Sequence, residues 1–165
     1  MIDQNSRLAE SYRAEGIAYY SEKAYPEAIA AFSRSLNNMD DPDKEFKKDV
    51  QFYLAQARMD YGEVDKAIEV YSEILKAGED EQAFFLRGKA YISMEDYKNA
   101  EKDFQRALEG CEDYNLYINI YQIYVDHNKA VDGDAYLKMA LELEPQDGED
   151  CYHRGRIYEY EKNYE

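Results

Sequence analysis

Residues 84–104 read FFLRGKAYISMEDYKNAEKDF, and the spacing of small and aromatic residues in this stretch decides the fold. The steps are four, three, nine and four residues, between Phe84, Gly88, Tyr91, Ala100 and Phe104. Steps of three and four place side chains on one face of an α-helix. The longer step leaves room for a turn, so the stretch predicts two short helices that pack against each other.

The same pattern recurs along the chain. Its four steps are repeated without change at Tyr12, Gly16, Tyr19, Ala28 and Phe32. Weaker copies contain Ala55, Ala67 and Tyr71, then Tyr117, Tyr124, Ala140, Leu141 and Pro145, and finally Gly155 and Tyr158. The small residue that opens each second helix recurs after 39, 33 and 33 residues, at Ala28, Ala67, Ala100 and Gly133.

This period and pattern resemble the tetratricopeptide repeat family, whose unit is about 34 residues long. The resemblance implies an all-α fold, a right-handed superhelical solenoid of antiparallel helix pairs with about four and a half repeats. We expect a single domain over residues 1–165, with units at approximately 6–42, 43–79, 80–112, 113–146 and a partial 147–165. The partial last unit predicts that the chain is a fragment of a longer protein.

The apolar spacing predicts helix bounds for each unit. The expected pairs are 6–21 with 25–38, 43–60 with 64–77, 80–93 with 97–110, and 113–127 with 130–144, followed by 148–161. Turns are expected at Lys23-Ala24, Gly62-Glu63, Glu95-Asp96 and Asn128-Lys129. The longer first interval is expected to place its additional residues in 37–42, with Asp41 capping a helix that has Pro42 in its first turn.

Small residues should lie where the two helices of a unit approach most closely. Gly16 and Gly88 fit this role, since a glycine inside a helix costs about 1 kcal/mol relative to alanine and needs a packing reason. The fourth unit departs from the pattern, with Tyr121 at the first small position and Gly133 at the second. We predict that this ring faces the glycine, and that the unit is the most irregular.

The resemblance also implies a ligand surface. In the family the concave face carries the second, fifth, ninth and twelfth residues of each unit. The candidate groove residues are Arg13, Ile17, Tyr20, Phe52, Gln56, Phe85, Lys89, Ile118, Gln122, Tyr152 and Arg156. At the fifth position four of five residues are large and apolar or aromatic, which is typical of a recognition surface when such residues are exposed. The alternative is that these side chains only pack on one another.

Composition excludes several kinds of partner. The chain carries 36 acidic and 20 basic residues, a formal net charge of −16. This balance disfavours binding to nucleic acid and to an anionic membrane surface. No run approaches the roughly 20 apolar residues that direct membrane insertion requires. Two cysteines are too few for a disulfide framework.

No catalytic or metal motif is present in the sequence. His127 and His153 are the two histidines, both expected to be solvated, and neither has a neighbour that suggests a catalytic triad. We therefore expect no enzymatic activity, no cofactor and no metal.

The sequence favours a protein–protein interaction scaffold that binds a partly apolar peptide or partner protein in the concave groove. Two alternatives stay open. One is a regulatory or spacer module of a larger enzyme or secretion assembly. The other is self-association, as a homodimer through an uncapped C-terminal helix whose face near Gly155 and Tyr158 should be partly bare. The default localisation is cytoplasmic, and an exported, membrane-tethered form is possible if an N-terminal signal was removed.

Overall fold

The computed structural model describes residues 4–39 and 43–162. Within these ranges the chain forms nine helices and no strand, which confirms the all-α prediction. The helices are α1 Gln4–Ser21, α2 Tyr25–Asn37, α3 Lys44–Tyr61, α4 Val64–Ala77, α5 Glu81–Ser93, α6 Tyr97–Ala107, α7 Tyr114–Asp126, α8 Ala130–Leu141 and α9 Gly148–Lys162.

Most helix ends lie within two residues of their predicted positions, but α6 and α8 end three residues early. In α8 the last turn tightens, because the N–H groups of Glu142 and Leu143 donate to carbonyls three residues back, at 3.1 Å each. Bonds of this 3₁₀ type satisfy the terminal carbonyls and stop the regular helix.

The additional residues of the first interval were expected in 37–42. The structure does not confine them to that stretch. Helix α3 has 18 residues whereas α5 has 13, so much of the insertion is a longer first helix. Asp43 caps α3, its carboxylate accepting a hydrogen bond from the Glu45 N–H at 3.0 Å. The predicted cap Asp41 and the first-turn Pro42 lie outside the described residues.

The chain divides into two compact units, residues 1–90 and 91–165, with the division inside α5. In the first unit α1 packs against α2, α2 against α3 and α3 against α4. Its core is built from the small and aromatic residues of the repeat pattern, all at most 1% exposed: Ala28, Phe32, Ala55, Ala67 and Tyr71. In this unit the residues that define the repeat pattern are therefore core residues.

In the second unit α7 packs against α8, and α9 contacts both. Phe104 of α6, Tyr124 of α7 and Tyr136 of α8 form a three-ring cluster with centroid separations of 6.1, 5.9 and 5.6 Å. Burial raises the pKa of both tyrosines, because an ionised phenol would lose its hydration there. The cluster joins three helices around one buried point.

Four helix-ending turns share one geometry. Each places a residue in the left-handed region, with φ of 59°, 93°, 58° and 59° at Lys23, Gly62, Glu95 and Asn128. The N–H of the next residue then bonds the carbonyl five residues back, at 2.8–2.9 Å, as in Ala24 to Tyr19. This is the Schellman arrangement, which satisfies orphan carbonyls at a helix end.

Two glycines permit close contact with aromatic rings. A Cβ at Gly16 would lie 2.5 Å from the Phe32 ring, and one at Gly133 would lie 2.8 Å from Tyr124 Cβ and 3.2 Å from the Tyr121 ring. The predicted pairing of the Tyr121 ring with Gly133 is confirmed. Any larger residue at either position would force the helices apart.

Candidate binding surface

Arg13 on α1 is a candidate for the concave face, which we also call the inner face. Its side chain is paired within the first unit. Its Nε lies 2.5 Å from Asp49 Oδ2 on α3, and its guanidinium lies 5.5 Å from the Tyr53 ring centroid. Arg13 is one of the predicted groove residues, which should be open to a ligand. Asp49 neutralises it instead, so Arg13 joins α1 to α3.

Tyr20 of α1 and Gln56 of α3 meet at a residue that the sequence analysis did not select, Asp60. The Tyr20 hydroxyl donates to one carboxylate oxygen, and Gln56 Nε2 donates to the other at 3.1 Å. Burial and then the hydrogen bond to Asp60 raise the pKa of Tyr20 to about 12. Three side chains thus form a hydrogen-bonded cluster at the end of the inner face.

The apolar candidates of the first unit are only partly accessible. Phe52 is half-buried against the core, with its ring 6.3 Å from Tyr71, and Ile17 packs against the same cluster. Phe85 is half-buried and Lys89 is exposed. Phe52 therefore has a packing role, and only part of its side chain is accessible.

In the second unit Ile118 differs from expectation. It is only 5% exposed, so it belongs to the core of the unit rather than to an open face. Helix α7 buries residues on most of its circumference, since Tyr114, Tyr117, Ile120, Ile123 and Tyr124 are buried as well. Gln122 is exposed and donates to Asp126 Oδ1 at 2.8 Å.

Helix α9 carries the most accessible candidate, Tyr152, which is 64% exposed. Arg156 is half-buried and donates to the Tyr160 hydroxyl at 3.0 Å. A Cβ at Gly155 would meet no described heavy atom within 4 Å, and Tyr158 is 45% exposed. The expectation that this face is partly bare agrees with these exposures.

His153 is not solvated, contrary to expectation. It is 7% exposed, and its Nε2 lies 3.7 Å from Glu149 Oε1. Among the described residues no three His, Cys, Asp or Glu side chains converge as a metal site. None of the helices in that part of the chain is both long and apolar enough to cross a membrane.

One signal in the sequence could have revealed Asp60. A glutamine at the ninth position is followed four residues later by an aspartate in both units, as Gln56–Asp60 and Gln122–Asp126. Residues four apart in a helix are neighbours, and an amide can donate to a carboxylate at that spacing. Helices α3 and α7 therefore each present an oriented carboxylate beside a carboxamide.

A model of the tetratricopeptide repeat family matches residues 81–113. Nothing among the curated proteins matches the chain. Several solved structures match the chain over most of its length.

MamA from Desulfovibrio magneticus RS-1, from residue 41 to its end, has a TM-score of 0.67 at 18% identity, covering 88% of this chain and 79% of that one. A tetratricopeptide repeat protein from Parabacteroides merdae has a TM-score of 0.67 at 12% identity, covering 96% of this chain and 62% of that one. This chain has the tetratricopeptide-repeat fold. BtubC from P. vanneervenii is also similar, with a TM-score of 0.66 at 18% identity over 94% of this chain and 73% of its own. At these identities the likeness concerns the fold of the tetratricopeptide repeats.

Proposed function

We propose that this chain is a non-catalytic protein-interaction scaffold that holds a partly apolar peptide, or a segment of a partner protein, against the inner faces of its first helices. The observation that carries this proposal is that each compact unit has aromatic side chains at the fifth repeat position that keep accessible surface. Phe52 and Phe85 are half-buried, and Tyr152 is 64% exposed. Aromatic rings held in place by packing supply much of the binding energy at protein interfaces.

The charged residues near these rings indicate which charges the ligand carries. Arg13 is neutralised by Asp49, and the other basic residues among the candidates are Lys89 and Arg156, whose positive charges favour acidic ligand residues nearby. The carboxylates of Asp60 and Asp126 accept hydrogen bonds from glutamine side chains, and acidic groups at these positions favour a basic residue on the ligand. The proposed ligand is therefore an amphipathic segment of mixed charge.

Partner capture from host lysate tests this role. Tyr152→Ala removes the most exposed ring, and Phe52→Leu removes a ring while it preserves most of the core volume. Tyr61→Ala is the matched control, since Tyr61 is 52% exposed and is not an inner-face candidate. A partner that is lost with both test variants and retained with Tyr61→Ala supports the proposal. Capture that is unchanged by both, in proteins with wild-type circular dichroism, overturns it.

Self-association through α9 is a second candidate, favoured by the open surface at Gly155 between the exposed Tyr152 and Tyr158. In the first unit the equivalent Gly16 is covered by a ring, so a second copy could cover Gly155 in the same way. Light scattering over a range of concentrations tests it. A monomer mass at every concentration rules it out, and a dimer abolished by Tyr158→Ser supports it. A regulatory or spacer role stays a prediction that the full-length sequence would test.

A further inference from the structure

The outer faces of the second helices carry three exposed residues in the same repeat register. They lie two before, two after and six after the small residue of each helix. The register holds Asp65, Glu69 and Glu73 in α4, Lys98, Lys102 and Arg106 in α6, and Val131, Ala135 and Met139 in α8, all exposed. The same three positions of the repeat are therefore acidic in α4, basic in α6 and apolar in α8.

Helices α6 and α8 lie side by side in the second unit. Lys129 Nζ, next to the start of α8, is 5.2 Å from the centroid of Tyr97, the first residue of α6. Further along, the Phe104 and Tyr136 ring centroids are 5.9 Å apart. Both pairs are separated by 32 residues, so the two helices run in the same direction and in register.

The buried sides of both helices meet the same ring. Phe104 and Tyr136 each pack on Tyr124 of α7, so the exposed stripes lie on the side away from α7. Successive residues of each stripe are about 6 Å apart along the helix. We call this surface the α6/α8 ladder, with residues Lys98, Lys102, Arg106, Val131, Ala135 and Met139.

The basic side of the ladder is only partly neutralised by its surroundings. Lys98 and Lys102 form no ion pair with any described residue, whereas Arg106 lies 2.9 Å from Glu109. The carboxylates at the start of α8 have partners of their own, Asp132 with Lys129 and Asp134 with Lys138.

The apolar side is accessible. Val131 is 87% exposed and Met139 is 40% exposed, with the exposed Ala135 between them. Exposed apolar residues scattered singly need no explanation, but three in one stripe form a patch. The equivalent stripe in α4 is made of carboxylates, so fold alone does not require apolar residues here.

We propose that the α6/α8 ladder is a second docking surface, which binds an acidic amphipathic helix of a partner protein. Apolar side chains of the partner, four residues apart, lie on the α8 stripe. Carboxylates on the adjoining face of the same helix pair with Lys98 and Lys102. Charge complementarity identifies this partner, and an amphipathic helix that lays its apolar face against apolar side chains of another protein is an established mode of recognition. This surface is distinct from the inner faces.

A synthetic peptide tests the ladder. The probe is a capped helical peptide of about 18 residues with Leu every four residues and Glu in the adjoining register. Its control has Lys in place of every Glu. We expect the acidic probe to bind in the micromolar range, on the order of 10–100 µM, and the basic control to bind at least about tenfold more weakly.

Two alanines provide a matched pair of variants. Ala135→Asp places a carboxylate in the middle of the ladder, while Ala30→Asp makes the same change in the same register of α2, where the position is also exposed. Ala135→Asp should lower the affinity for the acidic probe about tenfold or more. Ala30→Asp should leave that affinity within about twofold of the wild-type value. The double variant Lys98→Gln/Lys102→Gln should weaken it as well. Tyr152→Ala should not.

Three outcomes overturn the proposal. They are no binding of the acidic probe at about 1 mM, equal binding of the acidic and basic peptides, and equal effects of Ala135→Asp and Ala30→Asp. A vesicle arm separates the other class of partner. Association with vesicles that contain phosphatidylglycerol, lost with Lys98→Gln/Lys102→Gln, would assign the ladder to a membrane surface and also overturn the proposal.

Discussion

Three helical glycines differ in what surrounds them, although the sequence pattern treats them alike. Gly16 lies against the Phe32 ring and Gly133 against Tyr124, while Gly155 faces open space. A methyl group would clash at the first two positions. At the third it would only reduce the conformational freedom of the unfolded chain.

Alanine at these glycines should therefore have opposite effects. Gly16→Ala and Gly133→Ala should each lower the free energy of unfolding by about 1–3 kcal/mol, because the neighbouring rings must move. Gly155→Ala should raise it by up to about 1 kcal/mol through helix propensity. Urea unfolding followed by circular dichroism measures all three. Loss of stability in Gly155→Ala would show that its surface is covered in solution.

Lys23 offers a second prediction at the residue scale. It adopts φ of 59° at a helix-ending turn where glycine is the preferred residue. Lys23→Gly should raise the free energy of unfolding by about 0.5–1 kcal/mol, since the steric cost of a left-handed lysine disappears. Asn128→Gly should gain less, because asparagine tolerates this conformation.

Gly62→Ala is the reverse control. Gly62 has φ of 93° at the equivalent turn, and alanine there should lower stability by about 1 kcal/mol. Thermal unfolding would compare the variants. Equal stability of wild type and Lys23→Gly would mean that the Lys23 side chain compensates for its backbone conformation.

At the scale of the helix, the Tyr20–Asp60–Gln56 cluster links α1 to α3 and makes their packing sensitive to alkali. The folded state holds the pKa of Tyr20 at about 12, above the ordinary value of 10.0. The neutral phenol is favoured in the folded state, so its stabilising contribution is complete below pH 10.0 and is lost as the pH rises through about 12. Burial shifts the pKa of Tyr71 and Tyr136 in the same direction.

We expect the free energy of unfolding to fall between about pH 10 and pH 12, and to fall less steeply in Tyr20→Phe than in wild type. Tyr61→Phe, at an exposed position, should keep the wild-type slope. Urea titrations at several pH values give the slopes. An identical slope in Tyr20→Phe would show that the phenol at this position does not contribute to the alkaline loss.

The helices could be predicted from sequence because their signals are local. Repeated apolar spacing placed α4 at its observed bounds, 64–77. The side-chain partners could not be predicted in the same way. Arg13 meets Asp49 across 36 residues, and no periodic pattern states which carboxylate a cation will face.

Ile118 shows a different limit. Its repeat position lies on the open concave face in the family pattern, yet Ile118 is buried in a helix that is apolar on most of its circumference. Such a helix is surrounded by neighbours, and the repeat register alone does not reveal that. The wide apolar stripe of α7 is the feature of the sequence that indicates the burial of Ile118.

At the scale of the whole molecule, charge opposes compactness. The net charge is −16, and ion pairs such as Arg106 with Glu109 are local pairs at exposed positions. Exposed pairs of this kind contribute about 0–1 kcal/mol each, so repulsion between carboxylates is the larger effect.

Added salt should therefore stabilise the protein. The melting temperature should rise by a few degrees, roughly 2–5 °C, between about 0.02 M and 0.3 M sodium chloride, as screening weakens the repulsion. Potassium chloride should act alike. Calorimetry would measure the change, and a fall in melting temperature would mean that attractive pairs such as Arg13–Asp49 dominate instead.

The four helix-ending turns have a consequence for how such a chain can evolve. Their hydrogen bonds run between main-chain atoms, as in Lys129 to Tyr124 at 2.8 Å, and their left-handed residues are lysine, glycine, glutamate and asparagine. The joint therefore tolerates several side chains at its left-handed residue, although glycine is the most favourable one. A gene that duplicates or deletes one repeat carries a finished joint with it, so the number of repeats can change while each surface diverges independently.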